Sequence, residues 1–122
     1  MYRTTLFSIG DAVISTDGNG HVSKINKVAE ELTGWRFGEA KGKELKKVFK
    51  IINKESRQEV ESPFDKVLKR GAVVGLANHT LLISKNGREI PIADSGAPIK
   101  NGNDEIIGVV LVFRNQTEER EQ

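Results

Sequence analysis

Apolar and polar residues alternate over the first part of the chain. A short apolar stretch ends at Gly10, and residues 11–16 then alternate in the way typical of a strand with one buried face. Residues 17–20, Asp-Gly-Asn-Gly, tolerate positive φ, so they allow the chain to reverse directly into a second strand at residues 21–25. The pattern predicts a lead-in helix over residues 1–10, followed by a β-hairpin.

The middle of the chain has the spacing of helices. Asn26 is a suitable N-cap for a helix over residues 27–33, and Gly34 provides a left-handed stop. A second capped helix is predicted over residues 62–71, which a Ser-Pro pair opens and a Gly ends. Between these two helices, apolar spacings of three, four and seven predict further short helical segments at Leu45, Val48, Phe49 and Ile52.

The pattern changes to that of strands in the last third of the chain. We predict strands over residues 78–85, 88–99 and 106–114, separated by turns that contain Asn-Gly pairs. The last strand is apolar on both faces, which is typical of a central strand, so we expect it to pair with the first strand. Two strands, several short helices and three strands predict an α+β fold, a five-stranded antiparallel sheet with the helices on one face.

Length and composition limit the chemistry of the chain. Its 122 residues fit one domain with its own core, and the absence of Cys excludes disulfides, thiolate metal sites and Cys nucleophiles. The net charge of +2 is too balanced for a nucleic-acid-binding surface. Eight basic residues between Arg36 and Arg57, against three Glu, are interpreted as a solvated helix face. No apolar run approaches the ~20 residues of a membrane span, so we expect contact with neither nucleic acid nor membrane.

Catalytic motifs are absent from the sequence. It has no nucleophile elbow, no phosphate-binding Gly loop, no zinc-binding His-Glu-x-x-His helix and no paired-carboxylate arrangement. His79 is a lone His on a predicted strand without a second ligand nearby, which indicates an ordinary strand residue and not a metal ligand. We therefore predict that this domain is not an enzyme and that it holds no metal.

Four segments, taken in order along the chain, resemble the PAS domains, which are sensor modules of histidine kinases and cyclic-nucleotide signalling proteins. They are GDAVISTD at 10–17, AEELTGW at 29–35 after Asn26, IPIADSGAPI at 90–99 after Gly87, and GVVLVFRNQTE at 108–118. The resemblance implies a regulatory sensor domain over residues 11–117. It also implies a lead-in helix over residues 1–10, the start of a signalling helix at 118–122, and a cytoplasmic location.

The same resemblance allows cofactor classes to be tested. Flavin-binding photosensors and the coumarate-binding photoreceptor of this family attach their chromophore through a Cys, so the absence of Cys excludes covalent chemistry of that kind. Haem-binding members usually supply an axial His from the helix before the last three strands, and residues 62–71 contain no His, which disfavours haem. The identity of any cofactor stays open.

The end of the last strand resembles the exit of PAS domains, where an Asp-x-Thr motif leads into the signalling helix. The equivalent residues are Asn115 and Thr117, to which the resemblance assigns signal transmission. Since Asn replaces the family's Asp, any charge-assisted contact made by that Asp is reduced here to a neutral hydrogen bond.

The turn at Asn86-Gly87 allows two registers for the hairpin around it. A two-residue type I′ turn places His79 opposite Asp94, whereas a three-residue loop with a bulge at Gly87 places Asn78 there. The apolar pattern favours the first register and the resemblance favours the second, which we adopt. In either case Asp94 lies in an apolar strand, so its carboxylate needs hydrogen-bonding partners from the domain or from a ligand.

The resemblance also assigns residues to a ligand pocket between the sheet and the helix that precedes the last three strands. These pocket candidates are Phe64, Leu68, Asn78, Thr80, Leu82, Ile92, Asp94, Gly96, Val109, Leu111 and Phe113. The polar members suit a small polar or cationic molecule. A filled core without any ligand is an equal alternative for the apolar members, because the pocket and the core of such a domain coincide.

Together these observations predict a sensory PAS domain of a larger signalling protein, with a histidine kinase as the expected parent. It would bind a small molecule, form a homodimer, or do both, and pass the signal to a C-terminal output module. The alternative is a ligand-free dimerisation module that uses the sheet face or the apolar lead-in at Leu6, Phe7 and Ile9. A redox or gas sensor is the weakest interpretation.

Overall fold

The computed structural model describes residues 11–60, 63–71, 74–75 and 80–115, with the backbone alone at positions 63, 74, 75 and 94. The predicted lead-in helix at residues 1–10 and the predicted start of a signalling helix at 118–122 lie outside these residues. The strands are β1 (Asp11–Asp17), β2 (Val22–Ile25), β3 (Lys50–Asn53), β4 (Val74–Gly75), β5 (Thr80–Ile83), β6 (Glu89–Lys100) and β7 (Ile106–Asn115). The helices are α1 (Lys27–Thr33), α2 (Phe37–Ala40), α3 (Leu45–Val48) and α4 (Pro63–Arg70).

The described strands form one antiparallel sheet in the order β2-β1-β7-β6-β5-β3, and β4 pairs separately with β6. The α+β class is confirmed, but the count of five strands was too low, because the described residues alone form a sheet of seven. Strand β4 is only two residues long and leaves no periodic signal. Strand β3 contains Ile52, which was assigned to a helix because its spacing from Leu45 and Val48 is helical. In the structure α3 ends at Val48, and pairing with β5 draws the next residues into the sheet.

The β1–β2 hairpin and the helix after it are set by local hydrogen bonds. Asp17 Oδ1 accepts the backbone N–H groups of Asn19 and His21 at 2.9 and 3.0 Å, which closes the turn. Asn26 caps α1 by accepting the Ala29 N–H at 2.9 Å, and the same oxygen accepts the Val13 N–H of β1 at 3.0 Å. One side chain therefore both starts the helix and fixes it against the first strand.

Strand β7 is the centre of the sheet, as the sequence predicted, because β1 pairs along one edge and β6 along the other. Its residues Val109, Leu111 and Phe113 are fully buried beneath the helices. The Phe113 ring lies 4.8 Å, centroid to centroid, from the ring of Phe49, which follows α3. The core thus forms between one face of the sheet and the four helices.

The β5–β6 hairpin has the register of the three-residue loop. Thr80 lies opposite Ile92, and Leu82 lies opposite Ile90. The Ser84 N–H donates to the Arg88 carbonyl at 2.9 Å, and Gly87 takes a φ of 89°. A type I′ turn needs positive φ at both Asn86 and Gly87, whereas here only Gly87 has it, so the three-residue loop leaves the left-handed conformation to glycine alone.

A latch formed by Trp35, Glu39 and Lys85 joins the helical layer to this hairpin. The Lys85 ammonium lies 4.6 Å from the centre of the Trp35 ring and 3.0 Å from Glu39 Oε1. The Lys85 side chain holds the pKa of the Glu39 carboxyl below its ordinary value, chiefly through this hydrogen bond. The Lys85 N–H also donates to the carbonyl of Thr33, the last residue of α1, at 2.7 Å. We call these three side chains the Trp35 latch.

The glycine at position 108 is required by the close approach of β1 and β7. A Cβ there would collide with the backbone carbonyl oxygen of Thr16, which cannot move away because its strand is hydrogen-bonded on both edges. We predict that Gly108→Ala destabilises the protein by about 1–3 kcal/mol or more. Urea unfolding monitored by circular dichroism measures the change.

The matched control is Gly38→Ala in α2, where an added Cβ meets nothing within 4 Å. Alanine has the higher helix propensity, so this variant should be as stable as the parent or more stable by up to about 1 kcal/mol. Equal losses of stability in the two variants would contradict the steric argument for Gly108.

Candidate functional site

The larger of two neighbouring cavities among the described residues, about 360 Å³, lies where α3, β3, the segment after β3 and the start of α4 meet. Its apolar wall is formed by Phe49, Ile51 and Val60. Its charged groups are Lys46, Lys50, Glu59 and Asp65, all of them exposed to solvent. This volume is at the lower end of the range found for small-molecule sites.

A smaller cavity of about 130 Å³ lies beside the first one and shares Lys46 and Asp65 with it. Its remaining lining residues are Asn19, Gly20, Glu44, Leu45 and Phe64. The Leu45 N–H donates to the Gly20 carbonyl at 2.8 Å, so the β1–β2 turn is fixed to the start of α3. The Phe64 ring approaches so closely that a Cβ on Gly20 would lie 3.2 Å from it. Helix α4 is thereby packed onto the turn.

The Asp17 carboxylate controls the geometry of that turn. Its pKa is below the ordinary value, mainly because it accepts the backbone N–H of His21. The His21 ring lies 3.8 Å from the other carboxylate oxygen, and both side chains are about half exposed. The charge of Asp17 therefore stabilises the turn that carries Asn19 and Gly20 to the smaller cavity.

Most of the predicted pocket residues are packed into the core. The backbone places them in facing rows on β5, β6 and β7, and the described side chains in these rows are buried. This group comprises Thr80, Leu82, Ile92, Gly96, Val109, Leu111 and Phe113. Their role in ligand binding stays a prediction.

The other predicted site residues are spread over several places. Phe64 lines the smaller cavity, whereas Leu68, on the same helix, has 41% of its surface exposed. The Asp94 backbone lies opposite Phe113, but its side chain, like the whole of Asn78, lies outside the described residues. Asn115 ends β7 opposite Ile92, and Thr117 lies outside the described residues.

Sequence reasoning missed the residues that line the larger cavity. Lys46 and Lys50 belong to the basic stretch that was interpreted as a solvated helix face, and Phe49 was assigned only to a short helical segment. No sequence signal marked this place, because the helical spacing of the apolar residues continues across the boundary between α3 and β3.

Among the residues that the structure describes, no helix is long and apolar enough to cross a membrane. The same set of residues contains no group of three or more His, Asp or Glu side chains placed to hold a metal ion.

Comparison with known proteins identifies the family of this fold. The family model described as PAS fold matches residues 1–115. The chain belongs to the PAS family. PAS domains are sensory modules of signalling proteins.

In sequence, the chain is similar to an Escherichia coli protein named Probable diguanylate cyclase DgcE, with 30% identity over 116 residues. The match covers 95% of this chain and 10% of that protein, so the chain spans about a tenth of the length of its curated relative. In structure, it is similar to a PAS domain from Colwellia psychrerythraea, with a TM-score of 0.67, 19% identity, and coverage of 86% of this chain and 85% of that one.

A second structural match is the PAS domain of nitrogen regulation protein NR(II) from Vibrio parahaemolyticus, with a TM-score of 0.65 and 13% identity. It covers 86% of this chain and 88% of the other. At these identities the structural likeness establishes the shared fold alone, whereas the family model establishes membership.

The lowered pKa of Asp17 predicts a defined pH dependence of stability. A carboxyl whose pKa is lower in the folded than in the unfolded protein stabilises the fold above its ordinary pKa of 3.8, and this contribution is lost as the pH falls through the lowered value. Asp17→Asn keeps an oxygen that accepts the two N–H bonds but removes the charge. At pH 7 we expect it to cost less than about 1 kcal/mol, because the carboxylate is half exposed.

Urea unfolding of the parent and Asp17→Asn proteins at pH values from 7 down to below the ordinary pKa measures the difference in their free energies of unfolding. This difference should be constant well above that pKa and should shrink towards zero in acid. A difference that does not change with pH would show that the charge of Asp17 contributes nothing to the turn.

Proposed function

We propose that this PAS domain senses a small molecule in the larger cavity and passes the signal to an output module of a larger signalling protein. The observation that carries the proposal is the cavity itself, with an apolar wall at Phe49, Ile51 and Val60 and charged groups around it. Ligand sites in proteins commonly combine an apolar lining with a few polar groups that fix orientation. The domain itself performs no catalysis in this proposal.

A packed route connects the cavity with the exit of the domain. Phe49 lines the cavity, its ring packs against Phe113 of β7, and Asn115 follows two residues later at the end of that strand. A ligand that binds one position of Phe49 better than another would therefore bias the position of β7. Asn115 and Thr117 are the residues proposed to transmit this bias to the chain that follows.

The comparisons give unequal support to two classes of output module, a histidine kinase and a diguanylate cyclase. The histidine kinase expected from the sequence is supported only by the fold shared with the PAS domain of NR(II), which is 13% identical to this chain. A diguanylate cyclase has the support of a relative that is 30% identical over nearly the whole domain. We therefore favour a diguanylate cyclase output, and a cytoplasmic position for the domain is part of the same proposal.

Filling the cavity should abolish ligand binding. Val60→Phe adds a ring to a half-buried residue of the cavity wall, so we expect loss of any small molecule that the parent retains in native mass spectrometry. The stabilisation of the parent by that molecule in a thermal shift assay should also disappear.

The control for this prediction is Val112→Phe, the same change at a residue on the opposite face of the sheet, which has 36% of its surface exposed. This variant should retain the ligand. Equal binding by the parent and both variants would place the ligand elsewhere. A parent that carries no ligand and gains no stability from any metabolite tested would refute the sensing proposal.

A second function, dimerisation, is favoured by the outer face of the sheet. Val13 and Val112 are directly opposite each other on β1 and β7, and Val110 follows opposite Ser15 and Ala97. All of these side chains keep at least part of their surface exposed, in a row that crosses three strands. An apolar row of this kind is typical of contacts between copies of a chain. The predicted contribution of residues 1–10 lies outside the described residues.

A charge in that row should separate the dimer. We predict that Val112→Lys shifts the protein to a monomer in sedimentation equilibrium, because the ammonium would be desolvated between two sheets. Leu68→Lys is the matched control, since Leu68 is about as exposed but belongs to α4 on the other face of the sheet. A parent that is monomeric at high micromolar concentration, or a dimer that survives Val112→Lys, would refute this function.

A further inference from the structure

Lys46 and Asp65 are the two residues that line both cavities, so their side chains lie at the junction between them. Lys46 belongs to α3, and Asp65 belongs to the first turn of α4. Although they carry opposite charges and share this junction, the described structure shows no ion pair between them within 4.0 Å. The junction therefore presents an ammonium and a carboxylate that are both available to a third group.

The two remaining charged residues of the larger cavity are also of opposite sign. Its basic groups come from one segment of the chain, Lys46 and Lys50, and its acidic groups come from another, Glu59 and Asp65. Within the described part of the chain, neither Lys50 nor Glu59 has an ion-pair partner either. The four charges of the larger cavity sum to zero, and Phe49, Ile51 and Val60 line that cavity alone, whereas the smaller cavity adds Glu44, Leu45 and Phe64.

A ligand with a single charge pairs with only one sign of charge in this site and leaves the residues of the other sign without a partner. A carboxylate that reaches the lysines brings itself close to Glu59 and Asp65, and an amine that reaches the acids brings itself close to Lys46 and Lys50. Such like-charge approaches lower affinity and thereby set specificity. An uncharged apolar molecule gains from the wall but from none of the four charged groups.

We infer that the ligand of this cavity is an amphipathic zwitterion of the α-amino acid type, with its head group at the junction of Lys46 and Asp65. The carboxylate of the ligand pairs with Lys46, its ammonium pairs with Asp65, and its apolar side chain lies against Phe49, Ile51 and Val60. The inference rests on the proposed ligand-sensing function and specifies the ligand class for it.

Three probes with the same ring but different charges test this assignment: phenylalanine, 3-phenylpropionate and 2-phenylethylamine. Because an exposed ion pair contributes about 0.2–1 kcal/mol, which corresponds to about 1.4- to fivefold in affinity, we expect phenylalanine to bind more tightly than either single-charge probe by up to about fivefold. Isothermal titration calorimetry, or chemical-shift titration of the isotope-labelled protein, measures the three dissociation constants.

Two variants of the protein test the ammonium and the carboxylate of the ligand separately. Asp65→Asn should weaken phenylalanine and 2-phenylethylamine by up to about fivefold, and it should not weaken 3-phenylpropionate, which the Asp65 carboxylate repels. Lys46→Gln should weaken phenylalanine and 3-phenylpropionate by a similar factor, and it should not weaken 2-phenylethylamine, which the Lys46 ammonium repels. Lys47→Gln and Glu55→Gln are matched controls, because they remove exposed charges from the same region that line neither of these two cavities. Neither control should change the binding of any probe.

The outcomes separate this inference from the function on which it rests. Equal affinities for the three probes, equal effects of the variants on all of them, or no binding of phenylalanine at about 10 mM would overturn the zwitterion assignment. A ligand of another charge class that the parent retains and Val60→Phe loses would overturn it too, while leaving the sensing function supported. If the parent binds no small molecule in the broader screen, both fail.

Discussion

The pairing of β7 along both of its edges is the constraint on which the rest of the structure depends. Hydrogen bonds to β1 and β6 leave the strand no freedom of register, so Val109, Leu111 and Phe113 all face the helices. The same pairing places Gly108 against the Thr16 carbonyl, where no side chain fits. Helices of only four to eight residues are too short to be stable alone, and packing on this buried row holds them in place.

Local chemistry made much of this fold predictable from the sequence. Asn26 and Gly34 specify the two ends of α1 whatever surrounds them, and the Asp-Gly-Asn-Gly turn specifies the first hairpin. The register of the β5–β6 hairpin depends on the backbone conformation of Asn86 and Gly87, of which only Gly87 has a positive φ, and the apolar pattern cannot detect this. That pattern favoured the other register because it counts which residues are apolar and not how the chain turns between them.

Tertiary pairing decided what the sequence could not. Leu45, Val48 and Ile52 keep helical spacing across the boundary between α3 and β3, so no local signal marks where the helix ends. The candidate site escaped prediction for a related reason. Periodicity and family resemblance identify the residues that face the inner side of the sheet, and these fill the core. The space that remains open lies where three separate segments meet, and its charges are the same exposed charges that any solvated surface carries.

The Trp35 latch has a consequence for how the protein can be observed. Trp35 is the only tryptophan of the chain, so the intrinsic indole fluorescence of the domain originates at this one place. The ring lies beneath the Lys85 ammonium at the end of α1, and it does not line either of the two cavities. Its emission therefore does not respond to direct contact, because a molecule in those cavities does not touch the indole ring. A change in emission on adding such a molecule would report a rearrangement that had travelled from the cavity to the Trp35 latch.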